Sequence, residues 1–292
     1  KKIKQIYLDI NNFKKLKEVI KKEKPDIIFH LAAQSIVSFS YLQPLTTMIT
    51  NVIGSANILE SVRVNKIKNL VYITSDKCYL NDGRKTAYFE SDVLGGEDPY
   101  SVSKACAELA FQTYNNSFFN KKQNLSYATT RAGNVIGGGD MKKDRIVPDV
   151  IKSLQNRTEL TIRNPKATRP WQHVLEPLSG YLTLGNLLID RKLPCSIKPN
   201  WNFGPNPSNC KTVLHVANKI ISLWDVNKKI NIVKNKKFKE SKLLMLSIRK
   251  AKKELNWHPR LTFEETIKMT VDWYKLFFSN DKMEKLSRQQ ID

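Results

Sequence analysis

A chain of 292 residues with 41% hydrophobic content is long enough for one large or two smaller cores, which excludes disorder. No run approaches the roughly 18 apolar residues of a membrane helix, and Lys1 to Gln5 is not followed by a signal-peptide pattern, so a cytoplasmic protein is expected. The net charge of +22 could attract nucleic acid, anionic lipid or a phosphorylated small molecule; the lysines are spread out rather than interleaved with aromatics, which argues against nucleic acid.

In chain order, Ile3–Ile10 reads as a strand, Asn11 and Asn12 as a cap, and Phe13–Lys22 as a helix with Leu16, Val19 and Ile20 on one face, stopped by Pro25. Asp26–Ala33 is a continuous apolar run, the pattern of a parallel strand covered on both faces. Leu45–Arg63 carries Met48, Val52, Ile53, Ala56 and Leu59 at helical spacing, Asn69–Thr74 is the next strand, Tyr100–Phe119 a long helix behind Pro99, and Leu125–Val135 another strand. Repeated β-α of this kind means a doubly wound parallel sheet, an α/β fold.

After Gly137 the pattern loosens into the loop Gly137–Asp140, a short helix Val147–Leu154 and a short strand Leu160–Arg163. A helix at Val174–Leu188 and a strand at Ile197–Phe203 return to the sheet; helices at Val213–Leu223, Lys242–Leu255 and Phe263–Phe278 complete the chain. Only Lys228–Lys239 approaches low complexity. Cys78, Cys106, Cys195 and Cys210 are scattered, with no pairing at metal-ligand spacing, and read as reduced, mostly buried thiols.

Two clusters carry chemistry. Tyr100 and Lys104, four apart at a helix start, share one face; a nearby ammonium stabilises phenolate, so Tyr100 is a candidate general base below its usual pKa of about 10. Alone, Tyr-x3-Lys is a common solvated helix face. Ser75, Asp76 and Lys77 end a buried strand, where open α/β sheets collect ligand chemistry. Otherwise they would be a capped turn. His30 reads as a packed strand residue.

This combination, with TSDKCYLN at 74–81, LGGEDPYSVSKACAEL at 94–109, RAGNVIGGGD at 131–140 and RNPKATRPWQHVLEPLSGY at 163–181, resembles the extended short-chain dehydrogenase/reductases and, within them, the CDP-glucose 4,6-dehydratases, from Asp9 to about Trp273. The resemblance implies a Rossmann domain binding NAD over 1–137 and 171–203, with a smaller mixed α/β domain for the nucleotide sugar over 138–170 and 204–292. It implies Tyr100 as base at the hexose 4-hydroxyl, Lys104 on the cofactor ribose, Ser75 on the same sugar oxygen, Asp76 as acid for the departing 6-hydroxyl, and Lys77 as C5 base or enolate stabiliser. Asp9, Ile10, Leu31, Ala32, Ala33, Gln34 and Thr74 would line the cofactor; Asn134, Arg163 and Arg169 would meet sugar and diphosphate. Trp171 and His173 would shape the pocket, although Trp171 equally suits a core position. A homodimer serving deoxysugar and O-antigen synthesis is also implied, with no nucleic-acid or membrane partner.

Members of that family begin with a strand and a Gly-rich turn that brings a helix amino terminus to the dinucleotide pyrophosphate. Ile3–Ile10 resembles their third strand, so the sequence reads as an amino-terminally incomplete copy, and negligible NAD binding with poor solubility is expected of residues 1–292 alone. A sugar-nucleotide epimerase would share Tyr100 and Lys104 without needing Asp76; a non-catalytic remnant would need none of them.

Overall fold

The computed structural model describes residues 3–119, 124, 126–233, 243–279 and 283–291. α1 (Phe13–Glu23) starts on Asn12, whose side-chain oxygen accepts the Lys15 N–H, and buries Leu16 and Ile20. It ends at Lys24, in left-handed backbone (φ 46°), one residue before Pro25. β1 (Ile28–His30) is followed by α2 (Val37–Leu42) and α3 (Pro44–Met48). α3 leads through a π-helical stretch, Ile49–Gly54, into α4 (Ser55–Val64). The expected helix Leu45–Arg63 is therefore helical throughout but widened in its middle. The wide turn holds Asn51, which accepts the Gln34 N–H (2.8 Å) and donates to the Gln34 carbonyl and the Ser103 hydroxyl (2.9 Å each), so the local irregularity ties three segments together.

β2 (Leu70–Ile73) precedes α5 (Pro99–Tyr114), which is capped by the Asp98 carboxylate on the Ser101 N–H and continues into a π stretch, Asn115–Phe119. Next come β3 (Tyr127–Ala132), β4 (Val135–Ile136), α6 (Ile146–Gln155), β5 (Leu160–Ile162), β6 (Thr168–Pro170) and β7 (Gln172–His173). α7 (Leu175–Ile189), β8 (Asn200–Phe203), β9 (Cys210–Thr212), α8 (Val213–Trp224), β10 (Ile230–Ile232), α9 (Arg249–Leu255), α10 (Phe263–Phe278) and α11 (Met283–Ile291) follow.

The main sheet is parallel throughout, in the order β1-β2-β3-β8. Alternate residues of β2 point to opposite faces: Leu70 and Tyr72 pack with α1, α4 and α5 residues, Val71 with Leu184, Trp201 and Phe203. Helices thus cover both faces, as expected for a doubly wound fold. A separate core joins Val150 and Ile151 of α6, Ile220 of α8, and Phe263, Ile267 and Val271 of α10. Ile248, Ala251, Leu255 and Trp257 pack instead against the main sheet. No helix among the described residues is long and apolar enough to cross a membrane.

Several expectations change. Ile3–Ile10 forms no strand, because no ladder partner lies beside it among the described residues, and strand geometry needs one. The strand expected over Asp26–Ala33 shortens to β1, since Leu31–Ile36 leaves the ladder to reach Asn51. The helix expected from Lys242 begins only at Arg249; residue 242, like 234–239 of the lysine-rich run, lies outside the described residues. Among the cysteines, Cys78 is buried but Cys195 is exposed, and all four are free.

Candidate active site

β2 ends in Thr74, and the chain then turns through one 3-10 turn, Asp76–Cys78, capped by Ser75, whose hydroxyl accepts the Lys77 N–H (3.2 Å). That cap presents Ser75 and Asp76 at the carboxyl edge of the sheet. Both are buried, and Ser75 donates to Asp76 Oδ1 (2.9 Å). Gly133, just past β3, makes room: a Cβ there would lie 2.1 Å from the Asp76 carboxyl carbon. α5 brings Tyr100 against this turn, where the Ser75 hydroxyl favours its phenolate. A cleft of about 730 Å³ opens here, lined by Thr74, Ser75, Asp76, Lys77 and Tyr100 on one side and Asn134, the Gly137–Gly139 loop and Arg145 on the other.

The electrostatics revise one expectation. Burial pushes the Tyr100 phenol up to about 12, its bond to Ser75 acting against this and the Asp76 charge with it. Lys104 is not among the groups that offset that burial; its charge interacts with Cys78 and Glu108 and bears on His30. Burial lowers Lys104 to about 8, opposed by Cys78 and Glu108. The ammonium makes no hydrogen bond or ion pair among the described residues. Asp76 is raised by burial, although Lys77 and its hydrogen bonds to Ser75 and the Lys77 N–H pull the other way, so the carboxyl retains its proton more readily than a surface aspartate. His30 is buried against Ser55 (3.0 Å) and lowered by burial to about 3, a packed neutral imidazole.

The remaining expected residues fall into three groups. Asn134, Arg163, Arg169 and Trp171 line a smaller cavity of about 180 Å³ that shares Asn134, Ile146 and Trp171 with the main cleft. Arg163 pairs with Asp144 (2.8 Å), and Trp171 belongs to the second core while its indole N–H donates to the Lys211 carbonyl. His173 is buried and lines neither; its Nδ1 accepts the Leu175 N–H at 3.4 Å, and Nε2 has no partner. Asp9 is exposed and accepts the Asn11 N–H (2.9 Å), and the Ile10 side chain rests on Gly54. Leu31 and Ala32 are exposed and Ala33 half-buried; Gln34 donates to Thr47 and is held by Asn51.

Some site residues gave little sequence signal. Arg145 bridges Asp140 (2.8 Å) and the Ser35 hydroxyl (3.0 Å), joining the two walls of the cleft across 110 residues of sequence. Gly138 lets the Trp273 ring lie against the glycine loop, a Cβ there meeting it at 2.1 Å. Gly133 lies inside the strand expected over Leu125–Val135 and within the segment RAGNVIGGGD, and nothing local marks Arg145.

A doubly wound sheet with hydroxyl, carboxyl and Tyr-x3-Lys groups at one strand end defines an extended short-chain dehydrogenase/reductase. The description "GDP-mannose 4,6 dehydratase" belongs to the family that matches residues 1–270, and the chain is a member of that family. It is 43% identical over 288 residues to a CDP-glucose 4,6-dehydratase of Salmonella typhimurium, covering 97% of this chain and 80% of the relative. Among solved structures, a dTDP-glucose 4,6-dehydratase of Bacillus anthracis in complex with NAD superimposes with TM-score 0.78 at 26% identity, covering 96% of this chain and 82% of the other. A Thermotoga maritima UDP-glucose 4-epimerase shares the fold, with TM-score 0.80 at 20% identity over 93% and 84% of the two chains.

Proposed function

We propose that this protein removes water from CDP-glucose to give CDP-4-keto-6-deoxyglucose, with NAD as cofactor, as a cytoplasmic step of deoxysugar synthesis that supplies lipopolysaccharide. The observation that carries this reading is Asp76, a buried carboxyl beside Tyr100 and Ser75 that burial raises above the usual aspartate range. Oxidation at C4 needs only a base; expulsion of the 6-hydroxyl needs a proton donor as well. The kinship with the Salmonella enzyme supports cytosine as the base.

The residues fit the cofactor on one count taken from this chain: the Lys104 side chain is buried and its ammonium makes no hydrogen bond among the described residues, so it is a donor that a ribose diol would satisfy. Asp9, Ile10, Leu31 to Gln34 and Thr74 are assigned to the same dinucleotide. Bound NAD would supply a reversible hydride acceptor. Tyr100 takes the proton of the 4-hydroxyl, with Ser75 holding that oxygen. In the free protein burial raises the phenol to about 12; positive charge brought with a bound oxidised nicotinamide would favour the phenolate. The resulting ketone acidifies C5; Lys77 removes the C5 proton or stabilises the enolate left behind, Asp76 protonates the leaving 6-hydroxyl, and the enone so formed would take back at C6 the hydride given up from C4. Asn134, Arg163 and Arg169 are assigned to sugar and diphosphate, guanidinium forks matching phosphate oxygens. His173 supports the glycine loop, its Nε2 lying 3.8 Å from where a Gly137 Cβ would be.

We assign 1–137 and 171–203 to the cofactor domain and 138–170 and 204–292 to the substrate domain, with 248–257 packed back onto the sheet. We also assign a homodimer. Leu45, Ile49 and Ile53 follow one another at four-residue spacing on one helical face and, with Leu109 of the adjacent α5, are exposed apolar side chains. Incubation with CDP-glucose, dTDP-glucose and UDP-glucose tests the assignment of activity: conversion of the first with a clear preference in kcat/KM supports it, and C4 epimerisation without loss of water would replace it with an epimerase.

A further inference from the structure

Tyr100, Lys104 and Glu108 lie four apart along one face of α5. Glu108 and Arg131 of β3 are fully buried and paired, Nη2 to Oε2 at 2.8 Å. Both side chains carry further bonds. Glu108 accepts the hydroxyls of Thr74 and Thr129. Arg131 Nη1 donates to the Tyr79 hydroxyl (2.6 Å) and the Glu90 carbonyl (3.2 Å), and Tyr79 donates onward to Asn202 (2.8 Å).

Stability does not account for such a pair. Two buried charges must recover their desolvation before contributing anything, and apolar residues of equal volume commonly do as well or better. What the pair does accomplish is geometric. Thr74 and Tyr79 flank the segment that carries Ser75, Asp76 and Lys77; Glu108 grips Thr74 from the helix that carries Tyr100 and Lys104, and Arg131, paired with Glu108, grips Tyr79 from β3. We propose that Glu108 and Arg131 are positioning residues, a clamp that holds segment 74–79 in register with α5 so that the acid and the base address one substrate. The proposal rests on the roles given above to Asp76 and Tyr100.

The intact enzyme carrying Glu108→Gln keeps the size of the side chain and loses the charge. Its kcat per folded molecule should fall about 10- to 100-fold, the scale of a small misplacement at the reacting centre, with KM little changed because Arg163 and Arg169 are untouched. Amide hydrogen exchange should quicken in residues 74–79 while α1 and the core of α10 keep wild-type protection. Glu108→Asp, which retains the charge, should recover part of the rate. Tyr79→Phe removes a single strut without leaving a charge unpaired and should give the same local exchange pattern with a smaller loss of kcat, which keeps the test available if Glu108→Gln fails to fold. Wild-type kcat per folded molecule in Glu108→Gln or Tyr79→Phe, or exchange that quickens uniformly over the whole sheet, overturns the clamp. If the wild-type enzyme does not dehydrate CDP-glucose, the reading of the activity fails, and local against uniform exchange still decides the clamp.

Discussion

Lys104 is a charge held where burial disfavours it, and that has a measurable consequence. Its folded value of about 8 lies below the ordinary 10.5, so between those values the unfolded chain binds the proton that the folded chain has lost, and stability rises with pH across that window. Below about 8 both states carry the charge and the folded state bears the full penalty. Lys104→Met should therefore raise the melting temperature at pH 7 while abolishing turnover, and the gain should fade as pH approaches 10.5; thermal unfolding across pH checks this. Asp76→Asn removes the proton donor but leaves Tyr100 in place. Rapid-quench analysis should show C4 oxidation retained and loss of water slowed about 10²–10⁴-fold, the range for removal of a general acid; near-normal turnover would count against the assignment. At this scale the sequence showed which residue types meet at the strand end, since Ser75, Asp76, Tyr100 and Lys104 sit at spacings with direct geometric meaning. It could not show that Tyr100 is raised to about 12, because burial by distant segments outweighs the neighbour four residues away.

Elements were legible in proportion to how locally they are determined. α10 starts and ends as its periodicity requires, because Thr262 and Glu265 form a reciprocal capping box on their own backbone. The π stretches in Ile49–Gly54 and Asn115–Phe119 were not legible, since apolar periodicity continues through a wide turn and only the tertiary bonds of Asn51 show what the first is for. β10 (Ile230–Ile232) was hidden in the lysine-rich run; it becomes a strand only by pairing with β5, some 70 residues earlier. The turn after β3 carries the sharpest element-scale prediction. Gly133→Ala places a methyl group within 2.2 Å of the Asp76 carboxyl, so the acid must shift. kcat should fall about 10²-fold with the helices intact by circular dichroism; an unchanged kcat would show that Asp76 need not stay where it is.

For the whole molecule, a charge of +22 is expected to steer a doubly charged diphosphate toward the cleft, so kcat/KM should fall as salt rises. The proposed dimer would cover the apolar row on α3, the π stretch and α5: Leu45 is 71% exposed, Ile53 55% and Leu109 51%. Light scattering should give a dimer mass for the wild type and a monomer for Leu109→Asp; a wild-type monomer at micromolar concentration would remove the dimer. The parallel sheet was readable from β-α alternation and a second domain over 138–170 and 204–292 was expected, whereas the packing of Val150, Ile220 and Ile267 into one core was not readable, because they lie far apart in sequence and share no motif. The central claim is internal transfer of hydrogen from C4 to C6 within one site that also expels water. Its most direct measurement uses CDP-glucose deuterated at C4: the account predicts product deuterated at C6 with no net reduced nicotinamide, and solvent hydrogen at C6 would contradict it.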